Sequence, residues 1–303
     1  MKHYTLATII VNYKSEERTI KYVQEELCSK NSIPQIIIIV NNGATALSSN
    51  NLSQSLNATI VNDITTTINE ASIYIIHNEE NSGFAKGNNL GVDFIIRHFN
   101  VDYLLFSNND IHFIDSNVIE VLIEKLKSLP DVGIIGPRVI GLDGKNQNPY
   151  IYTPFWNEIL NRSWGRFIPG WKLIDIDREN ATEGYYYRLM GSFFICPIDD
   201  FIKCGMMDNN TFLYSEEEIL AERMIKIKKK CYYLPTIKIL HEHGFTTSKF
   251  LIKSDLIGLK SKLYYFNKYK GVSYLKLYIG YNVVKLYLFA KNIIRKLNKN
   301  YKK

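Results

Sequence analysis

An α/β fold, with an open and mostly parallel sheet flanked by helices, is what this sequence predicts, and three observations predict it. Short β-branched runs alternate with segments of helical spacing over the first 140 residues, the pattern of successive strand–helix–strand units. Each run ends in polar residues, and open parallel sheets gather their ligands beyond the carboxyl ends of their strands. With 303 residues, 46% hydrophobic and 13% aromatic, the chain can bury a sizeable core, and its main body is not disordered.

Leu6 to Val11 is an apolar, β-branched run that reads as a buried parallel strand, and Glu16 to Cys28 follows with helical spacing of Ile20, Val23 and Leu27. Ile36 to Val40 is a second strand, stopped by Asn41-Asn42-Gly43. Ile73 to His77 is a third, Phe84 to Phe99 a helix, Tyr103 to Ser107 a fourth strand and Asn117 to Leu129 a helix, after which Val132 to Val139 returns to the sheet. From Gly141 to Arg188 the pattern is irregular and rich in Trp, Tyr, Pro and Asn, which predicts loops and short strands. Gly191 to Pro197 reads as a strand closed by proline, with a helix from Ile198 to about Cys204. From Ser254 onward two helices are expected, parted near Gly271.

The net charge of +7 divides into +13 for residues 249–303, where fourteen Lys and Arg face one acid, Asp255, and −6 for the rest. Cys28, Cys196, Cys204 and Cys231 lack the spacing of a metal finger or a disulfide framework, so reduced core thiols are expected. The first residues reach charge by Lys14, too soon for a signal peptide, and a cytoplasmic location is expected.

Asp110, in Ser107-Asn108-Asn109-Asp110, sits at a strand's carboxyl end, where one carboxylate can hold a divalent cation against a diphosphate; an Asx turn is the competing explanation. Asn81 to Gly91 joins a strand to a helix with glycines that let backbone approach a ligand, and the helix start with Lys86 favours an anionic group. It has neither the GxGxxG nor the GxxxxGK[ST] spacing, which argues against a dinucleotide fold or a P-loop. Glu216-Glu217-Glu218 after Phe212-Leu213-Tyr214 supplies acids for general-base work, or the solvated first turn of a helix, and His241 with His243 offers imidazole. On a strand the two histidines would share one face, with a surface pair as the competing explanation; His112 stands two residues beyond Asp110.

Taken in order, Val11-Asn12-Tyr13, Val40-Asn41-Asn42-Gly43, Asn81-Ser82-Gly83-Phe84-Ala85, Asn108-Asn109-Asp110, Gly191-Ser192-Phe193-Phe194, the Glu216–Glu218 cluster and His241 resemble the family 2 glycosyltransferases of the GT-A type, in their rhamnosyltransferase-like and galactofuranosyltransferase-like branch. The similarity spans about residues 4 to 250, which divides the chain into a catalytic domain over 1–250, with a nucleotide-binding half at 1–140 and an acceptor half at 141–250, and a basic tail at 251–303. The resemblance implies inverting transfer of a sugar from a nucleotide-diphosphate donor, UDP- or dTDP-linked, to a hydroxyl of a lipid-linked oligosaccharide or a cell-surface polysaccharide such as capsule or O-antigen. It places Asn12, Tyr13 and Asn41 on the nucleoside, and Gly83, Phe84, Lys86, Asn88 and Asn108 around nucleotide and donor sugar. It makes Asp110 and His241 ligands of Mn2+ or Mg2+, and Glu217 the base with Glu216 in reserve.

Four positions depart from the pattern: Asn41 replaces the usual Asp, Asn109 the frequent Pro, Ser82 the frequent Leu and Ile219 the second acid. They leave room for an inactive sugar-nucleotide-binding protein of the same fold. Trp156, Trp164, Trp171 and Tyr185 to Tyr187 would lie near the acceptor by resemblance, and Arg162, Arg166 and Arg188 could meet its phosphate. In the tail, apolar and aromatic residues interleave with lysines, as in helices lying on an anionic membrane surface; terminal helices packed on the domain are the alternative, and nucleic-acid binding is not expected. Peripheral attachment to the inner membrane face would follow.

Overall fold

Residues 2–65, 68–242 and 251–300 are described by the structure, a computed structural model, with the side chains at 166, 251–254 and 295–300 outside the description. Two units emerge, one from residues 1–150 and 177–243, the other from 151–176 and 244–303.

The first unit is built on one sheet. Strand β1 (Lys2–Asn12) pairs in parallel with β2 (Gln35–Asn42) on one side and β5 (Phe99–Ser107) on the other. Beyond β2 come β4 (Ile73–Asn78) and β3 (Thr59–Val61), also parallel. Beyond β5 the sheet becomes mixed. Strand β9 (Phe193–Pro197) runs antiparallel to β5 and to β7 (Val132–Gly141), which lies parallel to β10 (Lys230–His241). β10 also pairs antiparallel with β6 (Ile111–Phe113) and β8 (Gly184–Tyr186).

Both faces of the sheet are buried, which is why its strands read as unbroken apolar runs. Leu6 and Ile10 of β1 point into one core, with Tyr22, Val23 and Leu122, while Ala7 and Ile9 point into the other, with Val92, Phe94 and Phe201. Helix α1 (Glu16–Tyr22) continues as a π-turn to Leu27. Helix α3 (Phe84–His98) packs on the second face, and Gly91 lets it approach Ile9 closely, since a Cβ there would stand 2.9 Å from Ile9 Cγ2.

Four elements lie where no element was predicted: α2 (Ala46–Leu56), β3, β6 and β10. The α2 sequence is rich in Ser and Asn, residues that favour turns by bonding their own backbone. Its helix forms because Ser48 N donates to Thr45 Oγ1 at 3.2 Å, Leu52 and Leu56 are buried, and Asn57 closes it in the left-handed region. Helix α4 (Val118–Lys127) fills the predicted 117–129 segment; α5 (Phe155–Asn161) forms in the irregular stretch, α6 (Ile198–Lys203) follows β9, and α7 (Glu216–Lys226) carries the acidic triplet.

In the second unit α8 (Leu251–Lys270) and α9 (Tyr274–Asn300) are parted at Gly271, whose φ of +65° suits glycine. Phe155 meets Phe266 edge to face at 5.1 Å, and Trp164 meets Tyr287 at 5.2 Å. Leu277, Val284 and Tyr287 form the buried face of α9, and Gly280 lies where a Cβ would press on Phe155 at 2.8 Å. Among the described residues no helix is long and apolar enough to cross a membrane.

Candidate active site

The residues predicted for donor, metal and base lie at or just beyond the carboxyl ends of β1, β2, β5 and β10 and at the starts of α3 and α7, within the first unit, whereas Trp156, Trp164, Trp171, Arg162 and Arg166 belong to the second. The former fall into three groups of different chemistry.

At the ends of β1 and β2, Asn12 and Asn41 are both buried and joined, Asn12 Nδ2 donating to Asn41 Oδ1 at 2.8 Å. Asn12 Oδ1 accepts from Ser15 Oγ at 2.9 Å and Thr19 Oγ1 at 2.8 Å, and Asn41 Nδ2 donates to Ser48 Oγ and Ser49 Oγ. Asn109 Nδ2 completes the network on Ser15 Oγ and Thr19 Oγ1. Tyr13 is half-buried against Gly43, whose φ is +68°, with Lys14 Nζ 5.3 Å from its ring.

The Asn81–Asn88 segment is held by Asn42. Its Oδ1 accepts from Asn78 Nδ2, Ser82 N and Ser82 Oγ, and its Nδ2 donates to Asn81 Oδ1 and Gly83 O. Gly83 has φ +85°, and a Cβ there would collide with the Phe212 carbonyl oxygen, which accepts from Phe84 N at 3.0 Å. Glycine is therefore needed to let the loop before α7 lie against the start of α3. Asn88 is buried and donates to Phe84 O at 3.0 Å, whereas Lys86 is exposed.

The third group is charged. Asp110 Oδ1 faces His241 Nε2 at 3.3 Å, and Asp110 Oδ2 lies 3.8 Å from Arg18 Nη1. Strand pairing brings them together: Ile111 pairs with His241, and Glu242 N donates to Asp110 O at 2.9 Å. His241 is 1% exposed, and its Nδ1 is 2.8 Å from Gln147 Oε1. An amide oxygen only accepts, so Nδ1 is the donor, and in the neutral ring the Nε2 lone pair is turned to Asp110. Asp110 Oδ1 is buried and makes no hydrogen bond among the described residues. One carboxylate and one imidazole suit a cation that leaves its other positions to phosphate and water. Among the described residues no three or more His, Cys, Asp and Glu gather as a metal centre. His243 lies outside the described residues.

The acidic triplet divides by environment. Glu216 is buried, and burial, then the neighbouring Glu217 charge, pushes its carboxyl up to about 8, partly offset by hydrogen bonds, including one with Thr211. Glu218 is buried and paired with Arg188, Nε to Oε1 at 3.0 Å. Glu217 is half-buried and accepts the Gly191 N–H at 3.2 Å. Gly191 has no side chain for a reason, since a Cβ would stand 2.7 Å from Glu217 Oε1. One residue on, Ser192 O accepts from Asn108 N at 2.8 Å, so a short run of bonded backbone links Glu217 to the loop that carries Asp110.

Sequence reasoning missed Arg18, Gln147 and Glu242. Gln147 lies in the stretch read as irregular, and Gly141 makes room for it. Arg18 stood unremarked in the first helix, where spacing alone reads as a solvated face. Of the arginines expected to meet an acceptor phosphate, Arg188 stacks on Tyr150 at 3.6 Å besides its pair with Glu218, Arg162 pairs with Glu158, and the Arg166 side chain lies outside the description. His112 bridges two acids, Nδ1 to Glu26 Oε1 and Nε2 to Glu242 Oε1, each at 3.3 Å. A cavity of about 430 Å3 opens by Asn100, Tyr103, Lys127 and Lys229, at the opposite end of β5 from Asp110, and none of the predicted site residues lines it.

Solved structures share this architecture. A mannosyltransferase from Pyrobaculum calidifontis in complex with GDP-Man and Mn2+ superimposes with a TM-score of 0.56 at 10% identity, over 97% of this chain and 76% of that one. GalNAc-T7 with UDP, GalNAc and Mn2+ gives 0.53 at 13%, over 98% and 58%, and S. aureus TarS 1-349 gives 0.52 at 11%, over 87% and 72%. The fold is thus that of the GT-A glycosyltransferases. The family model described as Glycosyl transferase family 2 matches residues 8–182, more than half of the sequence, and the chain belongs to that family. An N-acetylglucosaminyl-diphospho-decaprenol L-rhamnosyltransferase of Mycobacterium tuberculosis is 24% identical over 153 residues, 49% of this chain and 49% of that protein. The chain spans about half the length of the curated relatives it matches.

Proposed function

We propose that this protein transfers a sugar, with inversion, from a UDP- or dTDP-linked donor to a hydroxyl of a lipid-linked oligosaccharide or cell-surface polysaccharide, using Mn2+ or Mg2+ at Asp110 and His241. The observation that carries the reading is the 3.3 Å approach of Asp110 Oδ1 to His241 Nε2 beside a strand end, two buried atoms of the kinds that ligate a divalent ion. The donor binds across residues 1–140 and the acceptor across 141–250. Neighbours crystallised with UDP or GDP-Man and Mn2+ support a nucleotide-sugar donor and a metal, and the decaprenol-linked substrate in the relative's name supports a lipid-linked acceptor.

A divalent ion at that point supplies charge stabilisation for the departing diphosphate. Glu217 accepts the acceptor's hydroxyl proton as that oxygen attacks the anomeric carbon, and the bond from that carbon to the diphosphate oxygen breaks. Glu216 is unsuited to this task, because a carboxyl raised to about 8 already holds a proton at neutral pH. Glu218 is committed to Arg188. Gly191 N–H fixes Glu217 without protonating it, and Gln147 fixes the ring of His241. Tyr13, Asn88, Phe84, Gly83 and Lys86 border the donor, while Asn12, Asn41 and Asn108 hold the strand ends that shape its site.

The second unit lies on an anionic membrane surface. Leu275, Tyr278, Leu286, Phe289 and Ile293 recur at helical spacing on the exposed face of α9, with exposed Lys276 and Lys285 between them. Each lysine near such a surface adds about 1 kcal/mol. The protein would then work at the inner face of the cell membrane.

Thermal unfolding against UDP, dTDP and GDP, each with and without Mn2+, tests the donor reading, with a metal-dependent rise in melting temperature expected for one nucleotide. Loss of that rise in Asp110→Ala, with the fold intact, is the supporting result. Tight donor binding without turnover across a broad acceptor panel would instead make the protein a sugar-nucleotide-binding protein. Sedimentation with phosphatidylglycerol vesicles is expected for the wild type and lost in Leu286→Glu with Phe289→Glu; equal sedimentation of both would remove the membrane reading.

A further inference from the structure

Arg18 stands on α1 between two acids that belong to different strand ends. Its Nη1 is 3.8 Å from Asp110 Oδ2 and its Nη2 3.5 Å from Glu242 Oε2, both beyond hydrogen-bond length, and its side chain is 29% exposed. The guanidinium therefore balances Asp110 on the side away from His241, which faces the other carboxylate oxygen. Among the described residues, Glu242 Oε1 meets His112, and His112 meets Glu26, which is paired with Lys30.

We infer that Arg18 is a diphosphate-binding residue, held in reserve on Asp110 until a divalent ion takes that carboxylate. The inference rests on the reading of Asp110 and His241 as a metal site. A doubly charged ion held by Asp110 would add positive charge beside the Arg18 guanidinium, and like charges in proximity repel even in a well-solvated site. Metal alone is thus opposed by Arg18. A diphosphate reverses the balance, because its oxygens accept both arms of a guanidinium fork and also ligate the metal. Arg18 then couples the two ligands: it weakens the metal in the absence of diphosphate and strengthens the diphosphate in the presence of metal. A lysine at this position would keep the repulsion and lose the fork.

The test is Mn2+ binding to the full chain, read by electron paramagnetic resonance without nucleotide, and nucleoside diphosphate binding at saturating Mn2+, read by calorimetry with UDP, dTDP and GDP. Arg18→Gln is expected to bind Mn2+ alone about 3- to 10-fold more tightly than wild type, and whichever diphosphate the wild type prefers about 10-fold more weakly. Arg18→Lys is expected to match wild type for Mn2+ and to lose part of the diphosphate affinity. A purely structural arginine would move both affinities the same way. If Asp110→Ala loses Mn2+ while Arg18→Gln shows no gain, or if Arg18→Gln leaves diphosphate affinity intact, the inference is overturned and the metal site stands. Equal Mn2+ binding by wild type and Asp110→Ala would remove the metal reading itself and the inference with it.

Discussion

Two corners of the same sheet edge are equally polar and chemically opposite. At the ends of β1 and β2, Asn12, Asn41, Ser15, Thr19, Ser48, Ser49 and Asn109 share a hydrogen-bond network, which Ser48 extends to Glu16 and Ser49 to His77. Across β5, the corner of Asp110, His241 and Arg18 carries charge, with side chains meeting at 3.3 to 3.8 Å, Glu217 tied nearby to the Gly191 N–H, and one buried Asp110 oxygen that makes no hydrogen bond among the described residues. Buried polar groups are normally satisfied, so a satisfied network marks scaffolding and an unsatisfied one marks a place that a ligand completes. Substitutions should register as stability in the first corner and as chemistry in the second.

The largest effect belongs to the second corner. Glu217→Gln should lower transfer by about 10²- to 10⁴-fold through loss of the general base, with melting temperature and donor binding little changed. Transfer rates measured with radiolabelled donor check this, and retained activity would move the base elsewhere.

Glu216 supplies the next contrast, since its folded-state carboxyl lies at about 8 against an ordinary 4.5. A carboxyl raised on folding contributes stability that is fully present below pH 4.5 and is lost as pH climbs towards 8, where the unfolded chain has released the proton and the folded one has not. Glu216→Gln should flatten that slope and leave the protein more stable than wild type at pH 8, by on the order of 2–4 kcal/mol. Chemical unfolding at pH 5 and pH 8 reads the difference, and parallel curves for the two proteins would contradict it.

Asn12→Ala tests the network at the ends of β1 and β2. Several buried partners lose a bond at once, and a cost of about 2–3 kcal/mol is expected from unsatisfied groups. If this variant keeps wild-type stability and loses nucleotide binding instead, Asn12 is a ligand-facing residue and the contrast between the corners fails.

The smallest effect tests orientation. Gln147→Leu should weaken Mn2+ binding by about 10-fold or more while leaving unfolding within about 1 kcal/mol, as expected when a metal-binding imidazole loses the partner that orients it. Gln147→Glu, which restores an acceptor for Nδ1, should recover most of the affinity.

Much of the fold was legible. The strands at Leu6–Val11, Ile36–Val40 and Tyr103–Ser107 show themselves because burial on both faces demands unbroken apolar runs, and the parting of the last two helices shows as Gly271. Helix α2 was not, because Ser and Asn read as turn residues until two buried leucines and a threonine cap decide otherwise. The site residues were named from their order along the chain, but their environments were hidden. Nothing in three consecutive glutamates says that one is buried and carries a raised carboxyl, one is paired with Arg188 and one meets Gly191.

The sequence by itself determined the apolar strands of the sheet's parallel half, the helices with clear apolar spacing and the residue types gathered at the strand ends, because hydrophobic periodicity and turn chemistry act over neighbours in the chain. Only tertiary structure decided that Gln147 orients His241, that Arg18 reaches Asp110 and Glu242, and which glutamate remains half-buried. Those relations join residues from 26 to 224 positions apart, and side-chain electrostatics depends on distance and burial, which no local pattern encodes.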